Sequence, residues 1–192
     1  NSLLREDRSV LDLLRADYTF LNERLARHYG IPGVAGSHFR RVTYPDDKRR
    51  GVLGHGSVLT LTSHGNRTSP VLRGKWVLEV LLGSPPPPPP IDVPDLDETA
   101  EATDGKFRSV AEQLALHRSN PSCSSCHNVI DPIGLALDNF DVTGSWRIKD
   151  RGVAVETSGE LFDGTPIKGP AELRAALVAR SDVVITHLTE ML

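Results

Sequence analysis

Cys123, Ser124, Ser125, Cys126 and His127 make a C-x-x-C-H run, and its two cysteines are the only ones in the 192-residue chain. The chemistry that needs this spacing is covalent attachment of a c-type haem. Residues three apart lie on one side of a helical turn, so both thiols reach the two vinyl groups of one porphyrin and form thioethers. The histidine next along the turn is carried to the iron as its proximal ligand. Its other ring N–H then needs an acceptor, and a backbone carbonyl in a loop from Ile130 to Gly134 is the expected partner. Three other chemistries use the same residue types. A structural zinc site would recruit His117 but has no second close pair of ligands. A thioredoxin-like dithiol wants a βαβ context that the pattern lacks, and a plain disulfide would suit an exported protein.

Turns and apolar groups follow the motif where a porphyrin must be wrapped, from Pro121 through Asp131–Gly134 to Leu135, Leu137, Phe140 and Trp146. Arg147, with Trp146 beside it, is the candidate to meet a haem propionate through a charge-assisted hydrogen bond; a solvated loop arginine is the alternative. The sixth iron position separates an electron carrier from a catalyst. His55 is the first candidate for it, because Gly54 and Gly56 leave room for the imidazole to approach a haem face. His64 follows, then the single methionine, Met191, which also reads as a core gap-filler on the last helix. His117 and His187 complete the set of candidates, His117 reading better as a packed residue on an apolar helical stripe. An open position would admit peroxide or oxygen.

The elements that must position these groups are mostly helical. Leu11, Leu14, Tyr18, Leu21 and Leu25 recur at three and four, which predicts one amphipathic helix over residues 9–29, stopped by Gly30 and Pro32. Residues 31–50 read as a surface loop, and Gly51–Ser63 fits either a short helix or a strand. Ser69 before Pro70 is a helix start that Gly83 closes. Phe107, Val110, Leu114 and His117 predict a short helix ending at Asn120 and Pro121, and another helix is expected from Pro170 to about Val178. Six prolines, Pro85–Pro90, form an extended rod of roughly 19 Å, and an acidic tract follows from Asp92 to Asp104. This composition divides the chain into a helical domain (1–84), a polyproline and acidic linker (85–105) and a cytochrome-c-like haem domain (106–192). The alternative is that the prolines wrap the surface of one compact domain; a PxxP ligand for an aromatic groove is a further, unspecific possibility.

Composition sets limits on function. A formal charge of −3 describes no polyanion binder, so nucleic acid is not an expected partner. The most apolar stretch, Val71–Leu82, is broken by Arg73, Lys75 and Glu79 and cannot span a membrane. With 39% hydrophobic but only 5% aromatic residues, a haem would help to fill the core. The chain starts without Met or a signal segment, and it stops inside the helical pattern of Val183, Val184, Leu188 and Met191. It is therefore expected to be a piece of something longer, truncated at its C-terminus.

Three runs together carry a family resemblance: Asp17–Leu25, Arg67–Trp76 with its polyproline tail, and Cys123–Arg147. They resemble the C-terminal half of large bacterial multidomain proteins containing domains of unknown function 1592, 1588 and 1585 with a c-type cytochrome segment. The resemblance implies a periplasmic or extracellular haem protein, with further domains before and after this chain. Asp131–Arg147 is also similar to the segment after the haem motif in bacterial dihaem peroxidases, although one C-x-x-C-H here supplies only one haem. The expectation is a mainly α, monohaem c-type cytochrome unit that moves single electrons to redox partner proteins or other haem subunits. No general acid or base is needed for that. A haem peroxidase or oxidase with an open distal side, where His55 or His64 would serve as acid and base, is the first alternative. A structural subunit of a larger redox complex is the second.

Overall fold

The fold is best followed from the two helices that cross most closely. The structure is a computed structural model and describes residues 2–88 and 108–191. Pro89, Pro90, the acidic tract from Asp92 to Asp104 and Phe107 lie outside the described residues. In chain order the elements begin with α1 (Ser2–Arg5), α2 (Asp12–Arg15), β1 (Tyr18–Leu21), α3 (Glu23–His28) and β2 (Arg40–Thr43). A 3-10 turn (Val52–Gly54) leads into α4 (Gly56–Leu61), and α5 (Pro70–Trp76) continues as a π-helical turn (Val77–Leu81). After the proline segment come α6 (Val110–Arg118) and α7 (Pro121–Leu135). Two short hairpins follow, β3–β4 (Lys149–Asp150, Val153–Ala154) and β5–β6 (Gly159–Glu160, Pro166–Ile167), before α8 (Pro170–Ala179) and α9 (Ser181–Glu190).

α5 and α7 cross so closely because each presents a glycine to the other's backbone. A Cβ on Gly74 would lie 2.1 Å from the Ile130 carbonyl oxygen, and one on Gly134 would lie 1.7 Å from that of Pro70. Ile130, Ile133, Leu137 and Phe140 then pack with Leu53, Leu59, Val77 and Leu78, and with Leu173 and Leu177 of α8. Each such side chain contributes about 1.5–3 kcal/mol when fully buried. This core draws on residues from both sides of the proline segment, so it does not divide at residue 85.

A buried polar cluster locks the same crossing. Arg73 of α5 is 1% exposed. It donates to the carbonyls of Leu137 (2.7 Å), Phe140 (2.7 Å) and Asp141 (2.9 Å), which follow α7. A cation there complements the negative helix end. Burial pulls its pKa down to about 10, still charged at neutral pH. Beside it, the Asp138 carboxylate accepts from Thr68 Oγ1 (2.8 Å) and Arg147 Nη2 (2.9 Å).

The expected start of α5 holds, and two further caps start α6 and α7. Ser69 Oγ accepts from Leu72 N with Pro70 in the first turn of α5, and Ser109 and Glu112 form a capping box on α6. Asn120 Oδ1 accepts from Ser122 N at the head of α7. Within residues 51–63, Val52–Gly54 is a 3-10 turn and Gly56–Leu61 is α-helix, with Ser63 in a bridge to Thr68. The single helix expected over 9–29 is not what forms: Tyr18–Leu21 is a strand, antiparallel to Arg40–Thr43 within the segment expected to be loop. Ala16 turns to ψ 126° after α2, Tyr18, Thr19 and Phe20 favour a pleated strand, and Asn22 caps a new helix by accepting from Leu25 N. Leu14, Tyr18 and Leu21 are all buried, but on two different elements, so the three-and-four spacing was a coincidence of period.

Candidate functional site

α7 carries the whole C-x-x-C-H turn. At 100° per residue, Cys123, Cys126 and His127 share one side of the helix with Ile130 and Gly134, the residues that meet α5. Both thiols are free, Cys123 buried and Cys126 partly exposed. The structure supplies a different partner for His127 from the one expected. Residues 130–134 are helix rather than loop, and His127 Nδ1 lies 2.8 Å from Asp131 Oδ1, one turn on. Asp131 is fully buried, and its other oxygen accepts from Arg118 Nη1 at 2.7 Å. A carboxylate held by a guanidinium can only accept, so the imidazole donates from Nδ1 and keeps the Nε2 lone pair for a metal.

The α6–α7 hairpin brings Arg118 into this set, and it also sets His117 against His127, ring centroids 4.6 Å apart at 69°. Burial, then the neighbouring His127, lowers the pKa of His117. Two imidazoles sharing one iron would hold their centroids roughly 6 Å apart, given metal–nitrogen bonds of about 2.0–2.1 Å. His117 therefore packs against His127 and does not stand opposite it as a second ligand of one metal would. Among the described residues, no three His, Cys, Asp or Glu side chains are grouped to hold a metal ion by themselves. A porphyrin brings four nitrogens of its own, so one protein imidazole suffices to start such a site.

Of the motif, Ser125 and Cys126 line a cavity of about 570 Å³. Its walls are apolar: Leu82, Pro86, Pro87, Val129, Phe162 and Val183 contribute. The size falls in the usual range for a small-molecule or cofactor site. Phe162, at the tip of the β5–β6 hairpin, is 71% exposed, an uncovered aromatic at this rim. Arg180 also lines the cavity, paired with Asp163 and donating to the Ala176 carbonyl at 2.7 Å. Two free thiols on one turn and an imidazole oriented through Nδ1 are the donor set that a covalently held haem needs, while the cavity reaches Cys126 but neither Cys123 nor His127.

The other residues singled out from the sequence are elsewhere. Arg147 is engaged by Asp138, Thr68 and Asp150, and Trp146 stacks edge-on against Phe140 at 5.2 Å with Lys48 over its ring. Neither lines the Cys126 cavity, where Arg180 is the cation. His55 lines a separate cavity of about 650 Å³ formed by α1, α2 and β1, and burial followed by Arg49 lowers its pKa. Its flanking glycines have a packing role: a Cβ on Gly54 would lie 2.3 Å from the Arg49 carbonyl oxygen, and one on Gly56 3.2 Å from Tyr29 Oη. His64 is exposed in the turn closed by the Ser63–Thr68 bridge. Met191 is 53% exposed after α9 and is no core residue. His187, on α9, lies against Gly83.

Sequence reasoning passed over Asp131 as a side-chain partner, and Arg118 and Arg180 altogether. The first had a signal, since His127 and Asp131 stand at i and i+4 in a helical stretch. The other two depend on which helices and hairpins meet.

Residues 49–150, just over half of the chain, match the model of a family described as PSCyt3, a protein of unknown function (DUF1588). Residues 1–31 match that of PSD4, a protein of unknown function (DUF1592). No curated protein and no solved structure matches the chain.

Proposed function

The chain belongs to the family of proteins of unknown function DUF1588, and we propose, from its own residues, that it is a monohaem c-type unit carrying single electrons within a larger protein or assembly. The observation that carries this is the His127–Asp131–Arg118 relay one turn beyond two free thiols. When bound, a haem supplies the one-electron iron couple. Cys123 and Cys126, both free thiols, would anchor it through thioether bonds. His127 would present Nε2, Asp131 orients the ring through Nδ1, and Arg118 donates to the other carboxylate oxygen and holds it in place. The apolar walls around Cys126 exclude water, which makes nearby charge felt more strongly.

This reading places the chain outside the cytoplasmic membrane, where c-type haem is attached, with redox partner proteins or other haem subunits as its partners. Among the described residues no helix is long and apolar enough to cross a membrane. A haem peroxidase or oxidase is the second reading, favoured by the same Asp131 carboxylate. It would make His127 a stronger electron donor than a backbone carbonyl partner would, the ligand property that peroxide or oxygen chemistry calls for.

The test is expression with a c-type maturation system, followed by the spectrum of the denatured, reduced protein in alkaline pyridine. One covalent haem per chain is expected, lost in the Cys123→Ala, Cys126→Ala double variant. A wild-type chain without covalent haem, beside a matured control cytochrome, overturns the proposal.

A further inference from the structure

Aromatic side chains are scarce in this chain, yet several of them meet where the C-x-x-C-H turn does not reach. Two of its three tyrosines and one of its two tryptophans, Tyr29, Tyr44 and Trp146, line a single cavity of about 260 Å³. Asp46, Lys48 and Arg49 are the charged groups in its wall. That wall is fixed by its own bonds. Tyr29 Oη accepts from Gly56 N at 2.8 Å, and the Arg49 guanidinium lies over the Tyr29 ring, 4.1 Å from its centroid. Arg49 itself is buried and donates to the carbonyls of Gly54 (2.8 Å) and Gly144 (2.6 Å). The second of these bonds ties the loop carrying Trp146 to the first half of the chain, as does the 2.8 Å contact of His28 Nε2 with the Thr143 carbonyl. Asp141 Oδ1 accepts from the N–H groups of Thr143 and Ser145 and so holds the loop's own turn. Trp146 packs at right angles to Phe140 and is 37% exposed, so the cavity opens at the surface.

The charges narrow the ligand. An aromatic enclosure is a good seat for a quaternary ammonium, but here Lys48 stands over the Trp146 ring and Arg49 over that of Tyr29, so a further cation is repelled. A flat hydrocarbon would use the rings and leave the Asp46–Lys48 pair idle. That pair, 2.7 Å apart, sets an acceptor beside a donor. Burial pushes the Asp46 carboxyl up, but the Lys48 ammonium and N–H outweigh it and hold its pKa below the usual value. Vicinal hydroxyls of a sugar use both groups at once, one donating to a carboxylate and its neighbour accepting from an ammonium, while the C–H face of the ring packs on aromatic carbon. The volume lies below the roughly 300–1,000 Å³ of drug-sized sites and suits one ring.

We propose that this cavity binds one pyranose ring of a carbohydrate, its face against the wall of Tyr29, Tyr44 and Trp146 and two neighbouring hydroxyls on Asp46 and Lys48. The site shares no residue with the His127–Asp131–Arg118 relay or the thiols, so it stands or falls apart from the haem reading.

The experiment uses the full chain and reads saturation-transfer nuclear magnetic resonance with the methyl glycosides of glucose, mannose and galactose. Benzoate serves as the flat probe and tetramethylammonium as the cationic one. Expected is transfer to at least one of the three glycosides, strongest at the ring C–H protons, and little to either control. Affinity for that glycoside should fall by about tenfold or more in Trp146→Ala, the loss of an aromatic anchor, and should also fall in Asp46→Ala, which leaves the three rings in place. Should circular dichroism show Trp146→Ala to be unfolded, Asp46→Ala decides alone, because its side chain is partly exposed and outside the core. No transfer to any of the three glycosides overturns the proposal. So does binding that Asp46→Ala leaves unchanged, or transfer to benzoate or tetramethylammonium in place of the sugars.

Discussion

Replacing Gly134 by Ala tests the crossing that holds the C-x-x-C-H turn in place. On an exposed helix the change would be favourable by about 0.8–1.0 kcal/mol. Here the new methyl would meet the Pro70 carbonyl oxygen at 1.7 Å, whereas ordinary contact begins at 3.4 Å, so α5 and α7 must part by about 1.7 Å. A gap of even 0.5–1 Å forfeits roughly a quarter to a half of the dispersion well of every contact across it. Three side chains of this core, Ile130, Ile133 and Leu137, are carried on or just after α7. At about 1.5–3 kcal/mol each when fully buried, losing a third to a half of their packing and subtracting the helix-propensity gain leaves a net loss of about 0.5–3.5 kcal/mol, centred on about 2 kcal/mol. For a chain of this size a loss of about 2 kcal/mol lowers the melting temperature by roughly 4–8 °C. Gly65→Ala is the control, because its Cβ meets nothing within 4 Å, and it should change stability by less than about 0.5 kcal/mol. The assay is thermal and urea unfolding followed by far-UV circular dichroism. A Gly134→Ala chain as stable as wild type, or one indistinguishable from Gly65→Ala, would refute the close-crossing argument.

Three further outcomes follow from the polar groups. Asp131→Asn removes the anionic acceptor of His127 and Arg118; stability should fall by about 1.5–3 kcal/mol, and in the haem-loaded chain the midpoint potential should rise because the imidazole donates less. An unchanged potential in a redox titration would count against the relay. Arg73→Met strips three carbonyls of their buried donor and leaves Asp138 with less positive charge, so urea unfolding should show a loss of about 3–5 kcal/mol; a loss below about 1 kcal/mol would show the cluster to be incidental. For Asp141, burial pushes the carboxyl up, but the Ser145 N–H and the Thr143 hydroxyl and N–H outweigh it and hold the pKa below its usual 3.8. A carboxyl with a depressed folded pKa stabilises above its unfolded value and loses that contribution as pH falls through the folded one. The stability gap between wild type and Asp141→Asn should therefore close below about pH 3.8, as measured by urea unfolding across pH; a gap that stays constant would refute it.

What could be read before folding was whatever a single element decides by itself. Ser69 before Pro70 acts within one helical turn and caps α5 as expected, Asn120 and Pro121 end α6 as expected, and the two thiols and their histidine share one turn of α7. Even Asp131 was within reach, one turn from His127. The helix expected over 9–29 failed for the opposite reason: a period of three and four registers that Leu14, Tyr18 and Leu21 are buried, but not that strand pairing with Arg40–Thr43 competes for the same residues. His55 is the same problem at longer range. Gly54-His55-Gly56 offers space in the sequence, yet that space is spent on the Arg49 backbone and Tyr29.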